Sequence, residues 1–318
     1  MASRRRSAAA ARVGRASTCA ASTLASFAPQ AIVAMKPILL ALCLFSPAAL
    51  ACDTSHLGLS GSLKVETCSP QESSDCINAA QALYEYSEAI ADSDALFTIA
   101  LQANPWRMYD GQMRILTVED LADTIRPQLD GKVERVELIG SWTGVSPAPG
   151  VPSLAERVSK ALGGFPVTGE DGFLWLSQDG TRRTTRQAFT LREGAGAYFL
   201  PKNADVFSPL VAGWPAFVQE RVGSDDPELM MLAAAAWDVF FLCPDKALAS
   251  FEQAAAMGNA IAAYNAATMR LERDADGDRD AAIKLLERGV ELGDDRSRSR
   301  LKAERAGERS VRMGKASS

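Results

Sequence analysis

Apolar residues recur along this chain with two different periods. In the last third they fall at helical spacing. The stretch "ALASFEQAAAMGNAIAAYNAA" from Ala247 and the stretch "AIKLLERGVELGDDRSRSRLK" from Ala282 superimpose at an offset of 35. Ala247 then meets Ala282, Leu248 meets Ile283, Phe251 meets Leu286, Glu252 meets Glu287 and Gly258 meets Gly293. Small and large apolar positions one helical turn apart predict helices, and a Gly after each predicts where it stops. Self-similarity at this period predicts stacked helical hairpins. "PELMMLAAAAWDVFFL" from Pro227 predicts a further helix, and Phe217, 34 residues before Phe251, marks a weaker first unit. The polar, basic end "SRSRLKAERAGERSVRMGKASS" reads as a capping helix that frays into a tail over 305–318.

The middle of the chain alternates between periods. "INAAQALYEYSEAIADSDALFTIALQ" from Ile77 places Ala80, Leu83, Tyr84, Ala91, Ala95 and Leu96 at helical spacing and predicts one or two helices. In "TVEDLADTIRPQL", Thr117 and Asp120 form a capping box, with Val118, Leu121, Ala122 and Ile125 on one face. Val133–Ile139 reads as a buried strand that breaks at Gly140. "SLAERVSKALGG" predicts a helix capped by Ser153 and Glu156 and ended by Gly163. "FPVTG" is a short strand, and "GFLWLSQDGTRRTTRQAF" is a hairpin around Asp179-Gly180. A helix between two such strands makes a crossover, right-handed by default. The fold expected is therefore an α+β two-part chain: a small α/β sheet domain over 52–205, then an α-helical-hairpin solenoid over 211–304.

The N-terminal end changes what counts as the folded protein. Residues 36–51, "KPILLALCLFSPAALA", carry one Lys, an apolar run and an Ala-Leu-Ala site. This is the pattern of a secretory signal peptide, assigned to 35–51, with 1–34 an over-called start or a leader. Beyond residue 51 the chain has 28 basic and 39 acidic residues, net −11. Such a surface repels phosphate backbones, so nucleic acid is not an expected partner. No later stretch has the length of a membrane span. A periplasmic or secreted location is expected, with Cys52 a possible lipid anchor. In an oxidising compartment Cys68 and Cys76 are expected to form a local disulfide, and Cys243 reads as a buried thiol. The spacing fits no zinc pattern, and no metal or cofactor is expected. "DADGDRD" from Asp274 does not make a calcium loop, because Gly277 stands at its fourth position and Leu285 at its twelfth.

The segment "DKALASFEQAAAMGNAIAAYNAATMRL" followed by "DRDAAIKLLERGVELGD" resembles Sel1-type repeats, relatives of tetratricopeptide repeats. The matching positions are Ala247, Phe251, Ala254, Ala255, Gly258, Ala260, Ala263, Tyr264 and Asn265, then Asp280, Ala282, Leu286, Gly289 and Gly293. The family's usual glycines after the second helix are missing. The resemblance covers about 211–304 and implies a groove that binds a protein or peptide. Outward positions such as Glu252, Asn259, Asn265 and Arg270 would line it, with a structural role for Asn265 left open.

A fainter resemblance covers about 110–185. The order "LTVEDLADTI", "VERVELIGSWTG", "LAERVSKALGGFPVTG" is similar to caspase-like (clan CD) peptidase-type domains. It implies a nucleophile at position 141, where Ser141 stands in place of the family's Cys, and a His after an earlier strand. The chain has a single His, His56, near the expected cleavage site. Without a neighbouring base a Ser hydroxyl is a poor nucleophile at neutral pH. Arg182, Arg183 and Arg186 form a candidate anion-binding patch, since Arg suits bidentate recognition of anions. The function expected is a non-catalytic interaction protein, exported and holding a partner protein or peptide. The alternative is a hydrolase with Ser141 and His56 as its catalytic pair.

Overall fold

A computed structural model describes residues 52–190 and 198–316. The expected leader and signal peptide lie outside the described residues. Strands β1 (Ser62–Lys64) and β2 (Cys76–Asn78) lead into helix α1 (Ala79–Glu88). Asn78 caps this helix by accepting from the Ala80 and Gln81 amides. Only the first half of the helical stretch expected from Ile77 is helix. Its second half is strand β3 (Leu96–Ala100), where Phe97, Thr98 and Ile99 suit a pleated surface better than a helix. β4 (Gln102–Ala103), β5 (Met108–Tyr109) and β6 (Ile115–Leu116) then form a small antiparallel meander. The β4–β5 turn is "NPWR": the Asn104 side chain accepts from the Trp106 and Arg107 amides.

Helix α2 (Val118–Ile125), strand β7 (Arg135–Ile139), helix α3 (Leu154–Ala161) and strand β8 (Val167–Gly169) follow. Both helices start in the capping boxes read from the sequence. β3, β7 and β8 form a parallel sheet in that order, with Ala100 opposite Ile139 and Val136 opposite Val167. The order advances in one direction, so both crossover helices fall on one face. There Leu121, Ile125, Leu154 and Val158 pack on Phe97, Ile99, Val136 and Leu138. The other face carries the expected hairpin, β9 (Phe173–Leu176) and β10 (Arg182–Thr185), tied to it by an Arg182–Glu137 ion pair. Gly180 in its turn has φ 78°, and a Cβ there would sit 2.1 Å from the Ala89 carbonyl oxygen, so only Gly fits. β11 (Ala188–Thr190) pairs with β1, and β12 (Phe199–Pro201) with β2.

A run of helices completes the chain: α4 (Ser208–Val222), α5 (Pro227–Val239), α6 (Pro244–Ala256), α7 (Ala260–Arg273), α8 (Asp278–Glu291) and α9 (Asp295–Ala316). Each packs on the next, with further contacts between α6 and α8 and between α7 and α9. Pro227 and Pro244 open their helices, where a missing N–H costs nothing. Alanines at 233–236, 247, 254, 255, 262, 263 and 266 fill the shared core and let the helices approach closely. The last helix does not fray at 305 but continues to Ala316. The chain is thus an α+β two-part chain, a small sheet region followed by helices. No helix among the described residues is long and apolar enough to cross a membrane.

The two parts share one polar knot. Asp238 of α5, fully buried in an apolar helix, accepts three hydrogen bonds at Oδ2, from Asn104 Nδ2, Arg107 Nη1 (3.0 Å) and Tyr109 Oη (2.6 Å). Arg107 also pairs with Glu272 of α7 at 2.8 Å. Burial works against the Arg107 charge, but Asp238, Glu272 and Tyr109 outweigh it and hold the guanidinium protonated. Burial and Asp238 push the Tyr109 phenol up, so it stays a donor. Nearby, Asn265 of α7 accepts from the Ile115 amide and donates to the Met113 carbonyl. Arg114 pairs with Asp294 at 2.7 Å and lies over the Tyr264 ring. The β4–β6 meander is therefore seated across α5, α7 and the start of α9, with Tyr109 and Ile115 inside the helices' own core.

Two disulfides brace this arrangement. Cys68–Cys76 closes the expected local loop. Cys52 pairs with Cys243, so Cys243 is not the free thiol expected, and the Cys52 sulfur that a lipid would occupy is already bonded. Four cysteines allow three pairings, and only the fold chooses among them. Such pairs are compatible with an oxidising extracellular compartment. Replacing Cys52 and Cys243 together by Ala should cost about 2–4 kcal/mol in denaturant unfolding. Asp238→Ala, which strips Arg107 of its buried partner, should cost about 3–5 kcal/mol in the same measurement.

Candidate functional site

The loop after β7, "GSWTG", is where the sequence pointed first. Ser141 is fully buried, and its Oγ accepts a hydrogen bond from the Leu174 amide of β9 at 3.0 Å. Thr143 Oγ1 donates within the loop, at 2.8 Å to the Leu138 carbonyl or 2.9 Å to the Gly140 carbonyl, and accepts from the Glu170 amide. The Thr143 carbonyl accepts from Ala155 in the first turn of α3. Gly144 and Gly169 touch backbone to backbone, since a Cβ on Gly169 would lie 2.5 Å from the Gly144 nitrogen. Trp142 takes a left-handed conformation at φ 67°, is fully buried, and packs edge-to-face on Phe173 at 5.2 Å. The loop joins β7 to α3, to the β8–β9 connection and to the hairpin.

His56 sits exposed on a one-turn helix, Ser55–Leu57, and its ring centroid is 6.5 Å from that of Trp106. No hydrogen bond among the described residues joins it to Ser141, so the structure does not assemble this pair.

The three arginines are in one region but already engaged. Arg182 pairs with Glu137 at 3.0 Å and Glu170 at 3.4 Å. Burial pushes the Glu170 carboxyl up, and Arg182 opposes that. Arg183 stacks over Trp175 and bonds Asp205 at 2.9 Å. Arg186 donates to the Asp171 carbonyl and lies over the Trp142 ring. Carboxylates and carbonyls from the same region hold the groups that were expected to take an anion.

Of the repeat positions, Asn265 and Asn259 are buried, while Glu252 and Arg270 are half-buried and paired with each other. Asn265 is fully buried under the meander, the structural role left open for it. Asn259 caps α7 by accepting from Ala262 and donates to Glu228 at 2.8 Å. Glu252 pairs with Arg270, which also reaches Asp278 at 2.8 Å. Arg273 and Arg270 bonds to Asp278 hold its carboxyl well below the usual range. Three of these residues bond helix to helix, and Asn265 bonds helix to meander.

A crevice of about 540 Å3 opens where sequence reasoning placed nothing. One wall is α1, through Ala80, Leu83, Tyr84, Ser87 and Glu88. The opposite wall is the carboxyl end of the parallel strands, through Ala100, Leu101, Gln102 and Ile139. In open α/β sheets this end is where ligands collect. Leu174 and Leu176 of β9 and Val211 of α4 also line it, and the Tyr109–Met113 turn closes one end. Gln102 Oε1 is buried there with no hydrogen-bond partner among the described residues. Tyr84, 67% exposed, is a large aromatic left in solvent at the rim. The walls are mostly apolar and the volume suits a small molecule or a few side chains. The signal in the sequence was Tyr84 on an otherwise polar helix face, which periodicity alone could not distinguish from a core position.

Residues 69–184 match a protein family described as a domain of unknown function (DUF8616). The match runs from the Cys68–Cys76 loop to β10 and includes α1 and both strand walls of the crevice; α4 to α9 lie beyond it. No curated protein and no solved structure matches the chain.

If Ser141 is a fastening residue, Ser141→Ala should act on stability. Leaving the buried Leu174 amide unpaired should cost about 1–3 kcal/mol in urea unfolding.

Proposed function

We propose that this chain is an exported, non-catalytic binding protein that holds a partner protein or peptide. The crevice between α1 and the carboxyl ends of β3 and β7 is its site. The observation that carries this reading is the crevice itself: an open, apolar-walled space with Tyr84 exposed at its rim. A concave, mostly apolar space with a few polar groups is where a binding site is first sought in a globular protein.

Two further observations support it. Asn265, one of the positions where the repeat resemblance would put a partner, is taken up by the meander, which also bonds Asp238 and Asp294. Against the hydrolase reading, Ser141 is buried with its Oγ accepting the Leu174 amide, and no hydrogen bond among the described residues joins it to His56. The two disulfides fit a protein that works outside the cytosol.

Selection from a displayed library of random peptides tests the reading. The disulfide-bonded chain is expected to enrich binders that the crevice-filling variant Ala80→Trp no longer holds. Binders indifferent to Ala80→Trp but lost with Arg270→Ala would return the site to the helices. Enrichment of no binder at all would remove the reading.

A further inference from the structure

The crevice continues into an open sheet edge. β3 pairs with β7 on one side only. The Ala95 carbonyl accepts from Glu134 and Arg135, and the Leu101 amide donates to Ile139. Backbone groups alternate in direction along a strand, so Ala95, Phe97, Ile99 and Leu101 face β7. Leu96, Thr98 and Ala100 then face away. The Leu96 amide turns back to Ser93, while the Thr98 and Ala100 groups that face away from β7 have neither a second strand nor a turn or loop bond among the described residues. At Gln102 the same edge is taken up by Tyr109 of β5, which ends the free stretch. Thr98 and Ala100 are both exposed.

An unprotected edge is a template for another strand. β3, "LFTIA", carries no Lys, Pro or bulge to blunt it. What surrounds it is acidic: Asp92 and Asp94 precede the strand, Glu88 stands on α1 across the crevice, and Asp110 lies in the closing turn. The chain beyond residue 51 is itself net −11. Side chains at 96, 98 and 100 lie on the sheet face away from α2 and α3, the face that opens into the crevice beside Ile139. A strand laid on this edge would turn every second side chain the same way, towards α1.

We infer that the free edge of β3 takes an extended segment of a partner protein, with alternating apolar and cationic residues, as an added strand. Backbone pairing with Thr98 and Ala100 supplies affinity, as in other strand-addition modes, and apolar side chains enter the crevice. Asp92, Asp94, Glu88 and Asp110 attract the cations. This deepens the binding reading above and rests on it.

The probes are a synthetic peptide alternating Val and Lys, its counterpart with Glu for Lys, and a fully N-methylated Val-Lys peptide. Calorimetric titration into the disulfide-bonded chain is expected to show saturable binding of the first, weakening as salt is raised, and none of the other two. Thr98→Pro removes an edge amide that makes no ladder bond to β7, so the fold should persist. It should weaken the Val-Lys peptide roughly tenfold or more, with unchanged circular dichroism. Should that variant fail to fold, Glu88→Lys with Asp94→Lys decides: it is expected to lose the Val-Lys peptide and gain the Val-Glu one. Equal binding of the N-methylated or Val-Glu peptide, or no binding of the Val-Lys peptide, overturns the inference. Binding lost with Ala80→Trp but kept with Thr98→Pro overturns edge pairing while leaving the crevice as the site.

Discussion

A single buried carboxylate ties the molecule together. Asp238 sits in a run of alanines and aromatics on α5, where an unpaired charge would be expensive to bury. The β4–β5 turn brings Asn104, Arg107 and Tyr109 to the same oxygen. Breaking one partner of such a pair costs far more than the pair contributes against an apolar substitute. The knot therefore acts on geometry: the meander has one place on the helices where Asn104, Arg107 and Tyr109 all reach Asp238. Asn265 and Asp294 repeat the principle further along the same face.

This seating has a functional consequence. A stack of helices can offer a lateral face for binding, and here the meander takes up the part of it that carries Asp238, Asn265 and Asp294. The meander fixed on it belongs to the same continuous strand as β3, since only Leu101 separates β3 from β4. Anchoring β4 and β5 thus holds β3, and with it one wall of the crevice, in place. The other wall, α1, is held by β2 and by the Cys68–Cys76 loop before it, while Cys52–Cys243 joins the start of the described chain to the α5–α6 corner. The helices support the sheet region that carries the crevice, and most of that region matches a family described as a domain of unknown function.

The loop after β7 shows how one local pattern can suggest two meanings. A Ser at the carboxyl end of a parallel strand, after a Gly, is where a nucleophile would stand. The same position is also where a strand must be fastened to its crossover helix and to the layer above. Ser141 and Thr143 do the second, with their hydroxyls spent on backbone groups. What separates the two meanings is burial and the direction of the hydroxyl, and neither is written in "GSWTG".

Elements whose information is local were legible in the sequence. The capping boxes at Thr117 and Ser153, the Asp179-Gly180 hairpin and the helices from Pro227 onward depend on neighbours a few residues apart. The stretch from Ala91 to Ala100 is not legible in this way, because alanines at helical spacing also occur by chance ahead of a strand. Long-range facts needed the fold: which cysteines pair, that Asn259 and Asn265 look inward, and that Arg182 and Arg183 find Glu137 and Asp205. Asp238 within "AAAAWDVFFL" belongs with these, since its partner Arg107 stands 131 residues earlier. Local geometry follows from short-range sterics and hydrogen bonding, whereas burial, charge pairing and open edges are properties of surfaces that exist only once distant segments have met.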